Sequence, residues 1–236
     1  MNRGRFELQD YLLKQTEYNY ITNQAALNPW NLIYGVSGSQ RSAVAAFLAQ
    51  QQQKDLLYVA ENTQKIQEII DDLQFWLPDY RIYYFPALDV LPFEVLAQSR
   101  ETRWQRLETI QGLLFAQGPV AVVTTVEALR KTLQDPSYIR GSYKNVHVGE
   151  RLDVQKLLAW LIERGYERVD RVEEKGQIAL RGGIMDIYCP SEDKPYRIEF
   201  FDDEIDSIRT FSPETQRSLD KMESVFLSPA SECIFN

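Results

Sequence analysis

A chain of 236 residues, 44% hydrophobic and 25% charged, carries enough apolar material for one large or two modest folded domains. Its formal net charge of -8 opposes independent binding to a phosphate backbone, and two cysteines far apart in the chain, Cys189 and Cys233, with one histidine, His147, argue against a zinc site or a nucleophilic triad. No apolar run approaches the roughly 20 residues of a membrane helix, and Met1 to Asp10 lacks a hydrophobic signal core, so a cytoplasmic protein is expected.

From Asn31 to Leu133 short apolar runs alternate with amphipathic stretches. Leu32-Ile33-Tyr34 is a strand candidate, followed by a glycine and serine turn and a helix over Ser42 to Gln52 with Val44, Phe47 and Leu48 on one face. Asp55 to Ala60 reads as a strand buried on both faces. Thr63 is placed to cap a helix whose Ile66, Ile69, Ile70, Leu73 and Trp76 recur at helical spacing, with Pro78 beyond its end. Arg81 to Phe85 is a third strand, and Pro86 to Pro92 a loop. A helix follows over Arg100 to Leu114, with Trp104, Leu107, Ile110, Leu113 and Leu114 inward. Pro119 to Thr124 is a further buried strand, leading into a short helix through Val126 and Leu129. Strand, helix, strand in this order implies crossovers and a parallel sheet, an α/β layer domain.

The turn after the first strand candidate invites comparison with the phosphate-binding pattern G-x-x-x-x-G-K-[ST]. It reads Gly35-Val36-Ser37-Gly38-Ser39-Gln40-Arg41-Ser42. Gly35 and Ser42 are in register, but Gln40 stands where the second glycine lets backbone amides curl round phosphates, and Arg41 replaces the lysine that reaches them. No strand ends in the acidic pair that holds magnesium; Val120 to Thr125 runs into Val126-Glu127. An active ATPase is therefore not expected, although a helix N-terminus here has the geometry to hold an anion.

Beyond the turn-rich junction Asp135-Pro136-Ser137 the periodicity changes. His147 lies in an alternating stretch that reads as a strand. Asp153 caps a helix with the stripe Val154, Leu157, Leu158, Leu161 and Ile162, closed by Gly165. Consecutive strands follow over 166–173, 177–181, 184–188, 196–201 and 204–211, joined by polar turns, giving an antiparallel α+β module. The expected domains are 1–136 and 137–228, with 229–236 opening a further segment.

Two runs of this module resemble a known family. Gln177 to Tyr188, centred on Arg181-Gly182-Gly183-Ile184, and Pro195 to Arg209 are similar to the second domain of two related bacterial repair proteins, the transcription-repair coupling factors (Mfd) and the excision-repair helicase UvrB. Phe85 to Glu94 and the helix containing Arg100, Arg103 and Leu107 resemble the coupling factors in particular, as does the missing phosphate-loop lysine. The resemblance implies a degenerate RecA-like parallel-sheet domain followed by a small α+β antiparallel domain that binds UvrA. It also implies that the chain is a piece of a longer protein, whose motor domain uses ATP and Mg and whose polymerase-binding domain engages RNA polymerase. No cofactor is expected in the present chain, DNA binding alone is expected to be weak or absent, and the rest of the protein is expected as a partner. The UvrA contacts it implies are Arg181 and Arg168, with Arg171 and Tyr188 added as neighbours. Arginine suits such work, since its fork pairs carboxylates bidentately and it is enriched at interface hot spots.

Plainer readings stand beside these. Glu167, Asp170, Glu173 and Glu174 offer all three arginines surface ion pairs, Tyr188 fits a core or edge position, and Asp202-Asp203-Glu204 fits a hairpin turn better than a metal or acid-base cluster. Two rival functions remain: a nucleotide-binding, UvrB-like helicase fragment, and a structural or autoinhibitory domain that packs on the rest of its own chain.

Overall fold

The structure, a computed structural model, describes residues 16–88 and 100–232. Met1 to Asp10, the Asp89 to Glu94 part of the family-like segment, and Cys233 lie outside the described residues. The chain divides into two compact units: Met1–Ala87 with Phe115–Lys131, and Leu88–Leu114 with Thr132–Asn236. Among the described residues no helix is long and apolar enough to cross a membrane.

The first unit opens with helix α1 (Thr16–Leu27), which buries no side chain, and α2 (Ser39–Gln52). Strand β1 (Leu56–Ala60) follows, then a 3-10 turn, α3 (Ile66–Trp76) and β2 (Arg81–Phe85). The capping residue ahead of α3 is Asn62, whose carboxamide accepts from Gln64 N at 3.1 Å, one position before the expected Thr63. Further along the chain, β3 (Val120–Thr125) and the single turn α5 (Val126–Leu129) complete the unit. The sheet is three-stranded and parallel in the order β1-β3-β2, with β3 buried along its whole length. Its core joins Ala46, Ile66, Ile69, Leu73 and Leu77 to Ala121 and Val123, so the α3 stripe expected from spacing is the one that packs.

Three expectations for this unit give way. Leu32 and Tyr34 are exposed and form no strand, because the run finds no hydrogen-bonding neighbour among the described residues. β1 is an edge strand, not a doubly buried one, and Leu57 and Val59 are 57% and 41% exposed. In α2 the buried side is Ser42, Ala43, Val44, Ala46 and Ala49; Phe47 and Leu48 are half-buried.

The second unit contains α4 (Arg100–Phe115, its last residue aside) and α6 (Pro136–Arg140), a short helix capped by Asp135 where only a turn was expected. Counted with the parallel sheet on its spacing, α4 packs here through Trp104, which touches Gly176 and the main apolar cluster. Leu107 and Ile110 are buried as expected, whereas Leu113 is 49% exposed. The α4 side chain that goes deepest is Arg106, fully buried and forked onto Glu232 at 2.6 and 2.9 Å.

Next come β4 (Lys144–His147), α7 (Val154–Glu163) and β5 (Glu167–Arg168), the last far shorter than the expected 166–173. Strands β6 (Gln177–Arg181), β7 (Ile184–Ile187), β8 (Tyr196–Phe201) and β9 (Glu204–Phe211) keep nearly the expected bounds. Two strands without a sequence expectation, β10 (Ser218–Met222) and β11 (Ser224–Leu227), follow. The six-stranded sheet runs β10-β9-β8-β7-β6-β5, antiparallel except for the β5–β6 pair, and β11 pairs with β4 in a separate ribbon. Asp153 Oδ1 accepts from Gln155 N and Lys156 N at 3.0 Å, and Gly165 leaves α7 at φ 91°. Leu157, Leu158 and Leu161 pack with Ile178, Met185, Ile187, Ile198 and Ile208 on one face of the large sheet.

Candidate functional site

The opposite face of that sheet holds the polar residues. Side chains alternate along a strand, so register assigns the faces. Ala179 pairs with Asp186, Asp186 with Arg197, Arg197 with Arg209 and Arg209 with Lys221, a line across five strands with three cations beside one carboxylate. Arg181 pairs with Ile184 at one end of this face.

Asp186 is the hub. Its side chain is 1% exposed, in a strand otherwise made of Ile184, Met185 and Ile187, and a carboxylate buried so deeply requires charged partners. Arg197 supplies a fork, Nε to Oδ1 at 2.7 Å and Nη2 to Oδ2 at 2.9 Å, and Arg181 adds Nη2 to Oδ2 at 2.7 Å. The Arg197 guanidinium is itself held by Gln216 O at 3.0 Å and lies over the Phe211 ring at 4.6 Å; the bonds to Asp186 push its pKa up. The Arg181 side chain is 51% exposed, and this is its single hydrogen bond among the described residues.

The other sequence-picked residues sit differently. Arg168 pairs with Ile178, whose side chain is in the core face, so register sets it on the other side of the sheet from Arg181, at the edge strand. It is exposed and makes no ion pair among the described residues. Arg171 donates to Glu214 O at 3.0 Å and lies 3.3 Å from Glu173, stapling two loops. Tyr188 packs against the small cluster of Val172, Ala179 and Phe211, and its hydroxyl donates to Asp193 O at 2.9 Å. Asp202, at φ 55°, makes the β8–β9 turn, and no group of His, Cys, Asp and Glu among the described residues is arranged to hold a metal. His147 is an exposed strand residue.

In the first unit the loop from Gly35 to Ser42 is folded onto itself. Gly35 and Gly38 take φ 81° and 52°, and α2 begins without a side-chain cap. Gln40 Oε1 accepts the Ser37 N–H at 3.1 Å, a donor that a phosphate would otherwise engage, and Arg41 Nε reaches back to Val36 O at 3.4 Å. A cavity of about 660 Å³ adjoins it, lined by Arg41 and Lys65 but also by Glu61, Glu68 and Asp72, an acidic majority unfavourable to a triphosphate.

Comparison with known proteins bears on the sheet that carries Asp186. Residues 145–233 match the UvrB interaction domain family. The chain is 36% identical, over 86% of its length, to the transcription-repair-coupling factor of Bacillus subtilis strain 168. It is 33% identical, over 94% of its length, to that of Staphylococcus aureus strain USA300. Over most of its own length the chain is thus similar to transcription-repair-coupling factors. It spans only 17% and 19% of the length of these two relatives. The matched region takes in the whole of β6 to β9 and hence Arg181, Asp186 and Arg197.

Proposed function

We propose that this chain is the UvrA-recruiting module of a transcription-repair coupling factor, bringing excision repair to a stalled RNA polymerase handled by the remainder of the protein. The observation that carries this reading is Arg181, half-exposed inside the region matching the UvrB interaction domain and using one N–H on its own fold. A guanidinium has five donors, so four are left for carboxylates or carbonyls of a partner. Arg168 is the second contact, and its freedom from ion pairs among the described residues suits it to this role. Arg171 and Tyr188 are added neighbours, Tyr188 on the Arg181 face through its packing on Ala179, whereas Arg168 lies on the other side of the sheet.

The module works in the cytoplasm without a nucleotide of its own. The self-bonded Ser37 to Ser42 loop and the Gln40 and Arg41 side chains support that reading, and the net charge of -8 supports weak or absent DNA binding. ATP and Mg belong to the motor elsewhere in the full-length protein. The open β1 edge with exposed Leu57 and Val59 favours a second role for the first unit, packing against another part of its own protein.

Calorimetric titration of the chain into purified UvrA tests the main reading, with Arg181→Glu as the comparison. Binding that the substitution weakens by about a hundredfold or more supports it, since reversal turns an attraction into a repulsion. A folded chain that produces no heat with UvrA refutes recruitment and leaves the packing role.

A further inference from the structure

The cluster behind Arg181 does more than close a buried charge. We propose that Asp186 and Arg197 are positioning residues that hold the Arg181 guanidinium in a partner-ready orientation, so that the UvrA contact is made by a preset fork and not by a free cation. The inference rests on the recruitment reading above.

Three observations carry it. Asp186 is 1% exposed, so its position is set by the sheet and not by solvent. Arg197, 14% exposed, takes both of its oxygens, which satisfies the carboxylate before Arg181 is counted. The third bond, from Arg181 Nη2 to Oδ2, therefore orients Arg181 while leaving its charge available, and it fixes one corner of a planar group. A free arginine carries rotamer entropy, much of which binding would have to remove. Arg168 has no such support among the described residues and bears that cost in full.

The surroundings agree with this division of labour. Glu199 lies opposite Ile184 on the next strand, but its Oε2 accepts from Ser207 Oγ at 2.6 Å, so a neighbouring serine occupies it. Gly183 is a further requirement. A Cβ there would come within 2.8 Å of Phe200 O, so the β6–β7 turn that carries Arg181 needs glycine against β8.

The test is a set of UvrA titrations with Arg181→Gln, Arg181→Lys, Asp186→Asn and the double variant Asp186→Asn/Arg181→Gln, each first checked for a wild-type circular-dichroism spectrum. A preset fork predicts that Arg181→Lys, which keeps the charge on an exposed site that tolerates it, loses about as much affinity as Arg181→Gln, roughly tenfold or more. Asp186→Asn is expected to cost several-fold alone and less than about twofold once Arg181 is already Gln, because it acts through that residue. Wild-type affinity in Arg181→Lys overturns the inference while leaving recruitment standing, and so does an undiminished Asp186→Asn loss in the double variant. Should Asp186→Asn fail to fold, Arg181→Lys against Arg181→Gln decides alone. No binding by the wild-type chain sinks recruitment and the positioning role together.

Discussion

Arg41 and Arg181 are both arginines at a loop beside a sheet, and both stand where a charged partner is conceivable. They differ in what lies behind them. Arg41 leans on the carbonyl of Val36 in its own turn, and Gln40 beside it has taken up the Ser37 N–H. Arg181 rests on a carboxylate buried in a six-stranded sheet and forked by a second arginine. A cation that its own loop satisfies is a local stitch, whereas one braced from a buried anion presents a defined face to solvent. The difference lies in the support and not in the residue type.

The largest expected effect comes from removing that support. Asp186→Ala leaves Arg197, 14% exposed, without its anion, and a broken buried pair costs about 3–5 kcal/mol. Arg41→Ala is expected to stay within about 0.5 kcal/mol, as surface substitutions do. Urea midpoints of the two variants measure the contrast, and a near-neutral Asp186→Ala would reduce the cluster to surface decoration.

A second effect separates the braced unit from the other by pH. The Cys189 thiol is fully buried, and its pKa is pushed up to about 11 from an ordinary 9.0, chiefly by that burial. The Tyr166 hydroxyl, 3.2 Å from the sulfur and donating to Ser228 O at 2.7 Å, is also raised, by burial first. For an acid whose folded pKa is raised, the stabilisation is complete below the unfolded value and is lost as pH rises through the folded one. Stability should therefore hold up to pH 9 and fall between about 9 and 11, by roughly 3 kcal/mol from the thiol alone. Urea titrations at intervals across this range would show the slope, and Cys189→Ala should flatten its first part. An unchanged slope between pH 9 and 10 in that variant would remove the thiol from the account.

What could be read beforehand divides along the same line. Helix α7 was legible because cap, stripe and terminating glycine agree, and β6 to β9 because turns and alternation agree. Leu32-Ile33-Tyr34 and Asp55 to Ala60 misled because an apolar run reports a liking for burial, not whether a neighbour exists to provide it; Leu57 and Val59 remain in solvent. β10 was missed because all five of its residues are exposed, which removes the alternation that marks a strand. Arg106 was missed because spacing counts apolar residues, and its partner Glu232 is 126 positions away. At the site, Arg181 was reached through family likeness. Asp186 carried a signal of its own: a lone carboxylate between Met185 and Ile187 needs a cation, and Arg197 pairs with it on the next strand. That signal was readable only once the β7–β8 register was known.

The smallest structural effect is expected at the loop from Gly35 to Ser42, and it tests the other half of the comparison. Restoring the pattern with Gln40→Gly and Arg41→Lys should cost about 1 kcal/mol, the price of a glycine in the first turn of α2. It should also release the Ser37 N–H from the Gln40 carbonyl and put a compact ammonium where the planar guanidinium now bonds Val36 O. Calorimetry with Mg–ATP is then expected to show weak binding in the double variant and none in the wild-type chain. Hydrolysis should be absent from both, since β3 runs directly into Val126 and Glu127 and brings no acidic pair for magnesium. Equal binding by the two chains would mean that the loop's internal bonds open easily. Arg41 would then be as available as Arg181, and bracing by a buried anion would not be what separates them.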